Sequence, residues 1–139
     1  MQPIMRLVYV SAAKQAFSEA DLDALLDVSR RNNARIAVTG LLLYNDGNFM
    51  QALEGEPEAV ERLATKIQAD PRHHFFQRLV TEQGAERLFP EWAMAYRRFD
   101  PGAVPAGYSD FLQRAVAKGP TAETASAISI LLNSFRRLL

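Results

Sequence analysis

Ile36-Ala37-Val38-Thr39-Gly40-Leu41-Leu42-Leu43-Tyr44, then Asn45-Asp46-Gly47-Asn48, then Phe49-Met50-Gln51-Ala52-Leu53-Glu54 is the stretch that decides the fold. β-Branched, aromatic and aliphatic residues crowd both flanks, and Asp-Gly between them is a strong tight-turn signal, so the stretch reads as a β-hairpin. A helix precedes it. Ser18 reads as the N-cap, and Glu19 and Asp21 stand in the first turn, where the helix dipole favours acids. Leu22, Leu25, Leu26 and Ser29 then recur at helical spacing to about Arg31. Asn32 and Asn33 read as the stop, because asparagine tolerates a left-handed backbone. A second helix follows the hairpin. Pro57 suits a first helical position, Val60, Leu63, Ala64 and Ile67 share one face, and Asp70-Pro71 ends the run.

Outside these elements, Ile4–Val10 reads as an opening strand, and Phe75–Glu82 and Trp92–Phe99 as two closing ones. The order is strand, helix, strand, strand, helix, strand, strand. This predicts an α+β fold: a ferredoxin-like βαββαββ arrangement with a five-stranded sheet. The tail is different in kind. Asp100-Pro101-Gly102 and Pro105 punctuate it, Tyr108, Phe111, Leu112, Ala115 and Val116 make one amphipathic face, and Gly119-Pro120 interrupts. Ile128, Leu131, Leu132 and Phe135 make a second face. Two C-terminal helices of this kind are expected to cover the sheet face that helices 1 and 2 leave bare.

The bulk properties exclude several classes of function. A chain of 139 residues is one domain's worth and can bury a core without staples. Its 16 basic and 16 acidic side chains cancel, so no basic footprint for nucleic acid is present. Cysteine is absent, which removes disulfides and thiolate metal or redox sites. The N-terminus lacks the pattern of a leader, and the longest apolar stretches fall far short of the ~20 residues that cross a membrane. The expectation is a soluble, cytoplasmic protein.

Strand alternation groups Leu7, Tyr9 and Ser11 on one face, Phe49, Gln51 and Leu53 on another, and Trp92, Met94 and Tyr96 on a third. If these faces coincide, they lie together under the two helices. Gln51 is the oddity among them. An unpaired buried amide costs about 1–3 kcal/mol, so Gln51 either reaches solvent or meets a polar partner. Taken singly, each candidate has a plainer reading. Tyr9 can be a core tyrosine with a satisfied hydroxyl, Asn33 a helix cap, Arg72 a solvated charge, and Trp92 and Met94 ordinary core. His73 and His74 are the only histidines and point apart on a strand, so no metal site is expected.

Taken together, six segments narrow the choice. They are Leu7-Val8-Tyr9-Val10-Ser11, Arg31-Asn32-Asn33, Val38-Thr39-Gly40-Leu41-Leu42-Leu43-Tyr44, Phe49-Met50-Gln51-Ala52-Leu53-Glu54-Gly55, Asp70-Pro71-Arg72-His73-His74 and Phe89-Pro90-Glu91-Trp92-Ala93-Met94. In this order and without insertion, across about residues 5–99, the chain resembles the BLUF family, sensors of blue light using FAD. The resemblance implies residues 1–100 as a flavin-binding photosensor core and 101–139 as a helical extension capping the sheet. It implies an isoalloxazine ring between helices 1 and 2, edge toward the sheet, from FAD or, alternatively, FMN.

Residue by residue, the family's photoactive pair falls on Tyr9 and Gln51. The asparagine that binds the flavin C4 carbonyl and N3 falls on Asn33, with Asn32 beside it. Arg72 and His73 fall near the C2 carbonyl end, with Asp70 as a supporting acid. Lys66 falls where a basic residue meets the phosphate. Trp92 and Met94 fall on the relay strand. The family scheme moves an electron and a proton from tyrosine by way of glutamine, whose hydrogen bonds then rearrange and shift the absorption to the red. Glutamine suits this because it carries both an acceptor and donors.

The resemblance further implies a sensor rather than an enzyme, often a homo-oligomer, which signals to a separate protein. Two other classes compete for the same residues. A flavin-free ferredoxin-like interaction module explains the fold but not the joint presence of Tyr9, Asn33, Gln51 and Met94. A flavin enzyme finds no glycine-rich phosphate loop and no nucleophile–base pair in the sequence.

Overall fold

The computed structural model describes residues 3–45, 47–84, 86–87 and 95–98. Strand β1 (Met5–Ala13) is followed by helix α1 (Glu19–Arg35), the hairpin strands β2 (Thr39–Asn45) and β3 (Asn48–Gly55), helix α2 (Pro57–Gln68) and strand β4 (His73–Gln83). A short segment, β5 (Ala95–Arg98), runs parallel to β2. The four long strands form an antiparallel sheet in the order β4-β1-β3-β2. That order is what a split βαβ unit yields when two crossovers each place a strand beside an earlier one. Trp92 and Met94, and the tail from 101 to 139, lie outside the described residues.

The hairpin folds as its sequence dictates. Pairing runs from Thr39↔Glu54 to Asn45↔Asn48, and Gly47 adopts a positive φ of 82°, which a side chain would strain. Gly40 is needed for a different reason: a Cβ there would lie 2.0 Å from the backbone oxygen of Ala52, so the two strands could not approach. At the start of α1, Ser18 and Asp21 form a reciprocal capping box, with Asp21 N–H donating to Ser18 Oγ at 3.1 Å and Ser18 N–H to Asp21 Oδ2 at 3.0 Å. Pro57 occupies the first turn of α2 as expected.

The end of α1 departs from expectation. Asn32 and Asn33 do not stop the helix; it continues to Arg35. The left-handed residue is Ala37, with φ of 53°, and the Asn33 carbonyl accepts from the N–H groups of Ile36 and Val38 at 3.2 and 3.0 Å. Burial of the Asn33 side chain explains the difference, since an inward-facing residue is held by packing rather than by its local turn preference. Because Ile36 and Ala37 close the helix, β2 starts at Thr39 instead of Ile36.

Both helices lie on one sheet face. Leu22 and Leu26 of α1 and Val60 and Ala64 of α2 pack on Met5, Leu7, Leu42 and Leu53. Arg78 of β4 adds a two-pronged pair to Glu61 of α2, both contacts at 2.9 Å. On the other face, register alone assembles an ion cluster. Arg6 stands between Glu54 on β3 and Glu82 on β4 and donates to both, at 2.9 and 2.8 Å. A further Arg6 N–H reaches the Glu86 carbonyl at 2.6 Å. The neighbouring Arg87 binds Thr39 Oγ1 at 2.9 Å and the Ala37 carbonyl at 2.8 Å. The chain leaving β4 is thus tied to the end of the sheet from which β2 starts.

Strand β4 is irregular. Val10 pairs with Gln77 and Ala12 with His74, so Ser11 faces two residues, Phe75 and Phe76. Phe75 has φ of 55° and is 70% exposed. An extra residue of this kind bends a strand and re-aims its side chains.

Candidate functional site

Tyr9 and Gln51 are direct cross-strand partners on the helix-covered face. Leu42 pairs with Gln51 from the other side. Tyr9 is 3% exposed and Gln51 6%, so neither reaches solvent, and the reading of Gln51 as a solvated strand residue is overturned. The Tyr9 hydroxyl donates to Gln51 Oε1. Burial pushes the Tyr9 phenol far above its ordinary pKa, and the Asp70 charge adds to the shift, so Tyr9 rests as the neutral phenol.

Above this pair a cleft of about 850 Å³ opens between α1 and α2. That is the size of a pocket for a large organic ligand. Every cofactor-site residue expected from the sequence lines it: Asn32 and Asn33 from α1, Gln51 from the floor, Lys66 from α2, and Asp70, Arg72 and His73 from the turn into β4. Asn33 is buried, Asn32 half-buried and Lys66 exposed. Asp70 and Arg72 form an ion pair, and His73 stands beside it. Arg72 grips Asp70 through Nε, at 3.0 Å to each oxygen, and through its terminal nitrogen at 2.5 Å. The pair holds the Asp70 carboxyl below the usual range and Arg72 above its own. His73 Nε2 lies 2.5 Å from the Ile67 carbonyl. Among the described residues no cluster suited to a metal ion exists.

Three lining residues were not assigned from sequence. Ser11 is 4% exposed, lines the cleft, and its hydroxyl has no hydrogen-bond partner among the described residues. An orphaned buried hydroxyl is costly, and one facing a cleft points to a ligand that completes it. Its place two residues after Tyr9 on the same face was the available signal. Arg35 and Arg62 line the cleft with Lys66. Long cationic side chains carry no periodic signature, so nothing in the sequence singled them out.

The donor set fits a flavin. Leu25, Leu42, Phe49, Leu63 and Ile67 offer apolar walls for a flat ring system. Asn33, Gln51 and Ser11 offer buried polar groups to its hydrogen-bonding edge. The basic residues Arg35, Arg62 and Lys66 suit an anionic phosphate tail. Residues 4–95 match the family model of BLUF, sensors of blue-light using FAD.

The chain belongs to the BLUF family. Its relatives include the photoactivated adenylate cyclase subunit beta of Euglena longa, 39% identical over 89 residues, or 63% of this chain. The match spans about 10% of that much longer protein. The dark-state structure of BlrB, a BLUF protein, superposes with a TM-score of 0.80 at 29% identity, covering 100% of this chain and 99% of that one. The photo-activated state of BlsA gives 0.74 at 29% identity, covering 96% and 94%. As a BLUF domain the chain is a blue-light sensor that uses FAD, and the buried Tyr9–Gln51 pair is consistent with that function.

Proposed function

We propose that this BLUF domain reads blue light through the Tyr9–Gln51 hydrogen bond, with the flavin seated in the cleft between α1 and α2. The observation that carries the reading is that bond, buried on the cleft floor. Bound flavin supplies a light-activated electron acceptor. Tyr9 is suited to donate because a phenol is readily oxidised and then becomes a strong acid. Its proton has one immediate destination, Gln51 Oε1. Gln51 in turn has amide donors to hand on, so loss of the Tyr9 proton reorganises its hydrogen bonds. Asn33 and Asn32 orient the ring edge, Lys66 meets the phosphate, and Asp70, Arg72 and His73 frame the turn side of the cleft.

The test is an absorption spectrum of purified protein in the dark, under blue light and after recovery. The expected result is a structured flavin spectrum that shifts red and returns. Tyr9→Phe, which removes the proton and makes the ring harder to oxidise, is expected to abolish the productive shift while flavin remains bound. An intact photocycle in Tyr9→Phe would remove Tyr9 from the donor role.

The reading extends to the rest of the chain. Residues 1–100 form the photosensor core. The last strand, from Trp92 to Phe99, completes a five-stranded sheet, and 101–139 supply two helices on the face opposite the flavin. Val8, Leu41, Leu43, Met50 and Ala52 support this, because they alternate away from α1 and α2 and are nevertheless buried. Trp92 and Met94 carry the change at Gln51 to this layer. The protein acts as a cytoplasmic, oligomeric sensor without an activity of its own and signals to a separate partner. BlrB and BlsA, matched over 99% and 94% of their own chains, support the sensor reading. Among the described residues no helix is long and apolar enough to cross a membrane. The relay predicts that hydrogen exchange across residues 90–139 differs between dark and lit protein; identical exchange would overturn it.

A further inference from the structure

Tyr9 has a second neighbour that takes no part in the scheme above. The ring of Phe76 stacks on the Tyr9 ring, with centroids 4.4 Å apart and planes inclined by 28°. Phe76 is not among the residues that line the cleft, and its ring backs the phenol. His73 stands edge-on to Phe76, at 6.2 Å and 86°.

Simple alternation along β4 would put His73 and Phe76 on opposite faces, because they are three residues apart. The bulge at Phe75 changes this. One extra residue opposite Ser11 resets the alternation, so His73 and Phe76 both face the helix side and form a row with Tyr9. Two costs are accepted at the bulge: a bulky side chain in the left-handed region and an aromatic ring largely in water. Neither benefits Phe75 itself, whose ring touches only its exposed neighbour His74 among the described aromatic contacts. The beneficiary is His73: counted from Tyr9↔Arg78, Phe76 faces the helix side by simple alternation, and the extra residue brings His73 to that side as well.

We propose that Phe76, stacked on the phenol and edge-on to His73, is a positioning residue for the oxidation of Tyr9. This rests on Tyr9 being the electron donor. In the dark the stacked face limits rotation of the phenol and keeps its hydroxyl on Gln51 Oε1. When Tyr9 is oxidised, one electron leaves for the excited flavin and the phenolic proton leaves for Gln51, and both return on recovery. Between the departure of the electron and that of the proton the phenol ring carries a positive charge, and the electron-rich face of Phe76 lies against it. Phe76 thereby favours the step without exchanging an atom or an electron.

Phe76→Leu in FAD-loaded protein tests this, with Phe76→Met read in the same way should the leucine variant not load. The first readout needs no light: in protein carrying ¹³C-tyrosine, the two sides of the Tyr9 ring should interchange faster in the variant. The second is the fluorescence lifetime of bound flavin, which electron transfer from Tyr9 shortens. It should lengthen by about 2- to 10-fold, the rate equivalent of one aromatic stack. FAD affinity should stay unchanged, and Phe76→Trp should restore both readouts. Wild-type ring dynamics and lifetime in Phe76→Leu overturn the proposal, as does a Trp variant as impaired as the Leu variant. Tyr9→Phe separates the two levels. If it leaves the lifetime short, Tyr9 is not the donor and the underlying reading fails. If it lengthens the lifetime and Phe76→Leu does not, only the role of Phe76 fails.

Discussion

Gln51→Leu is expected to bind flavin, remain yellow and show no light-induced red shift. The substitution keeps most of the volume at the centre of the cleft floor and removes both the acceptor for Tyr9 and the amide donors. Two effects of different size should follow. Loss of one ordinary hydrogen bond toward the ligand corresponds to about 1 kcal/mol, or roughly fivefold in affinity. The red shift should vanish altogether, because Gln51 Oε1 is the acceptor of the Tyr9 hydroxyl and no other amide side chain stands opposite Tyr9 in the sheet. Asn33 is fixed on a helix, and Ser11 stands opposite Phe49 instead of Tyr9. The Tyr9 hydroxyl would also lose its acceptor in a buried setting, so folding stability should fall by about 1–3 kcal/mol. Absorption difference spectra and a denaturant titration separate these effects. A wild-type red shift in Gln51→Leu would show that the spectral change arises elsewhere.

Arg6→Met is expected to give the largest loss of stability among single substitutions away from the cleft. Glu54 is 0% exposed, and Arg6 provides its counter-charge at 2.9 Å. Removing one partner of a buried ion pair costs about 3–5 kcal/mol, mostly through the desolvated charge left behind. The double variant Arg6→Met/Glu54→Leu removes both charges and should recover most of that loss, since an apolar pair of similar bulk suits a buried site. Glu82 matters less, because its side chain is 38% exposed and water can solvate it. Equilibrium unfolding in urea measures both variants. If the single variant is no less stable than the double, the cluster is not the electrostatic unit described here. The spectrum of bound flavin should be the same in both, because the cluster lies on the opposite face of the sheet.

Much of this architecture could be read directly from the residues. The Asp-Gly turn fixed the hairpin register, and period-two alternation brought Tyr9, Ser11, Phe49 and Gln51 to one face. The Ser18 cap and Pro57 marked helix starts through local chemistry that context did not override. The features that escaped depend on partners distant in sequence. Asn33 continues the helix because its side chain is drawn inward, which no local preference reveals. The Arg6 cluster required knowing that β1 lies between β3 and β4. The Phe75 bulge carries no glycine or asparagine to announce it, and the arrival of His73 on the helix side beside Phe76 follows from it. That the asparagines, Lys66 and the Asp70–His73 turn share one cleft was implied by the family resemblance, since their spacing alone does not bring them together.

The position of β1 between β3 and β4 also has a bearing on how the chain acquires its structure. Arg6 meets its acidic partners 48 and 76 residues further along, so the strand made first has no neighbour on either side until much of the chain exists. The hairpin of β2 and β3, by contrast, closes over two residues and can form early. Formation should therefore begin in the middle and finish at the start, with β1 inserted last between strands that cannot pair without it. Such long-range closure slows a folding reaction and leaves an apolar strand waiting during synthesis. Tyr9 and Gln51, on β1 and β3, come together only when that insertion occurs, so the light-sensing bond itself reports the completed fold.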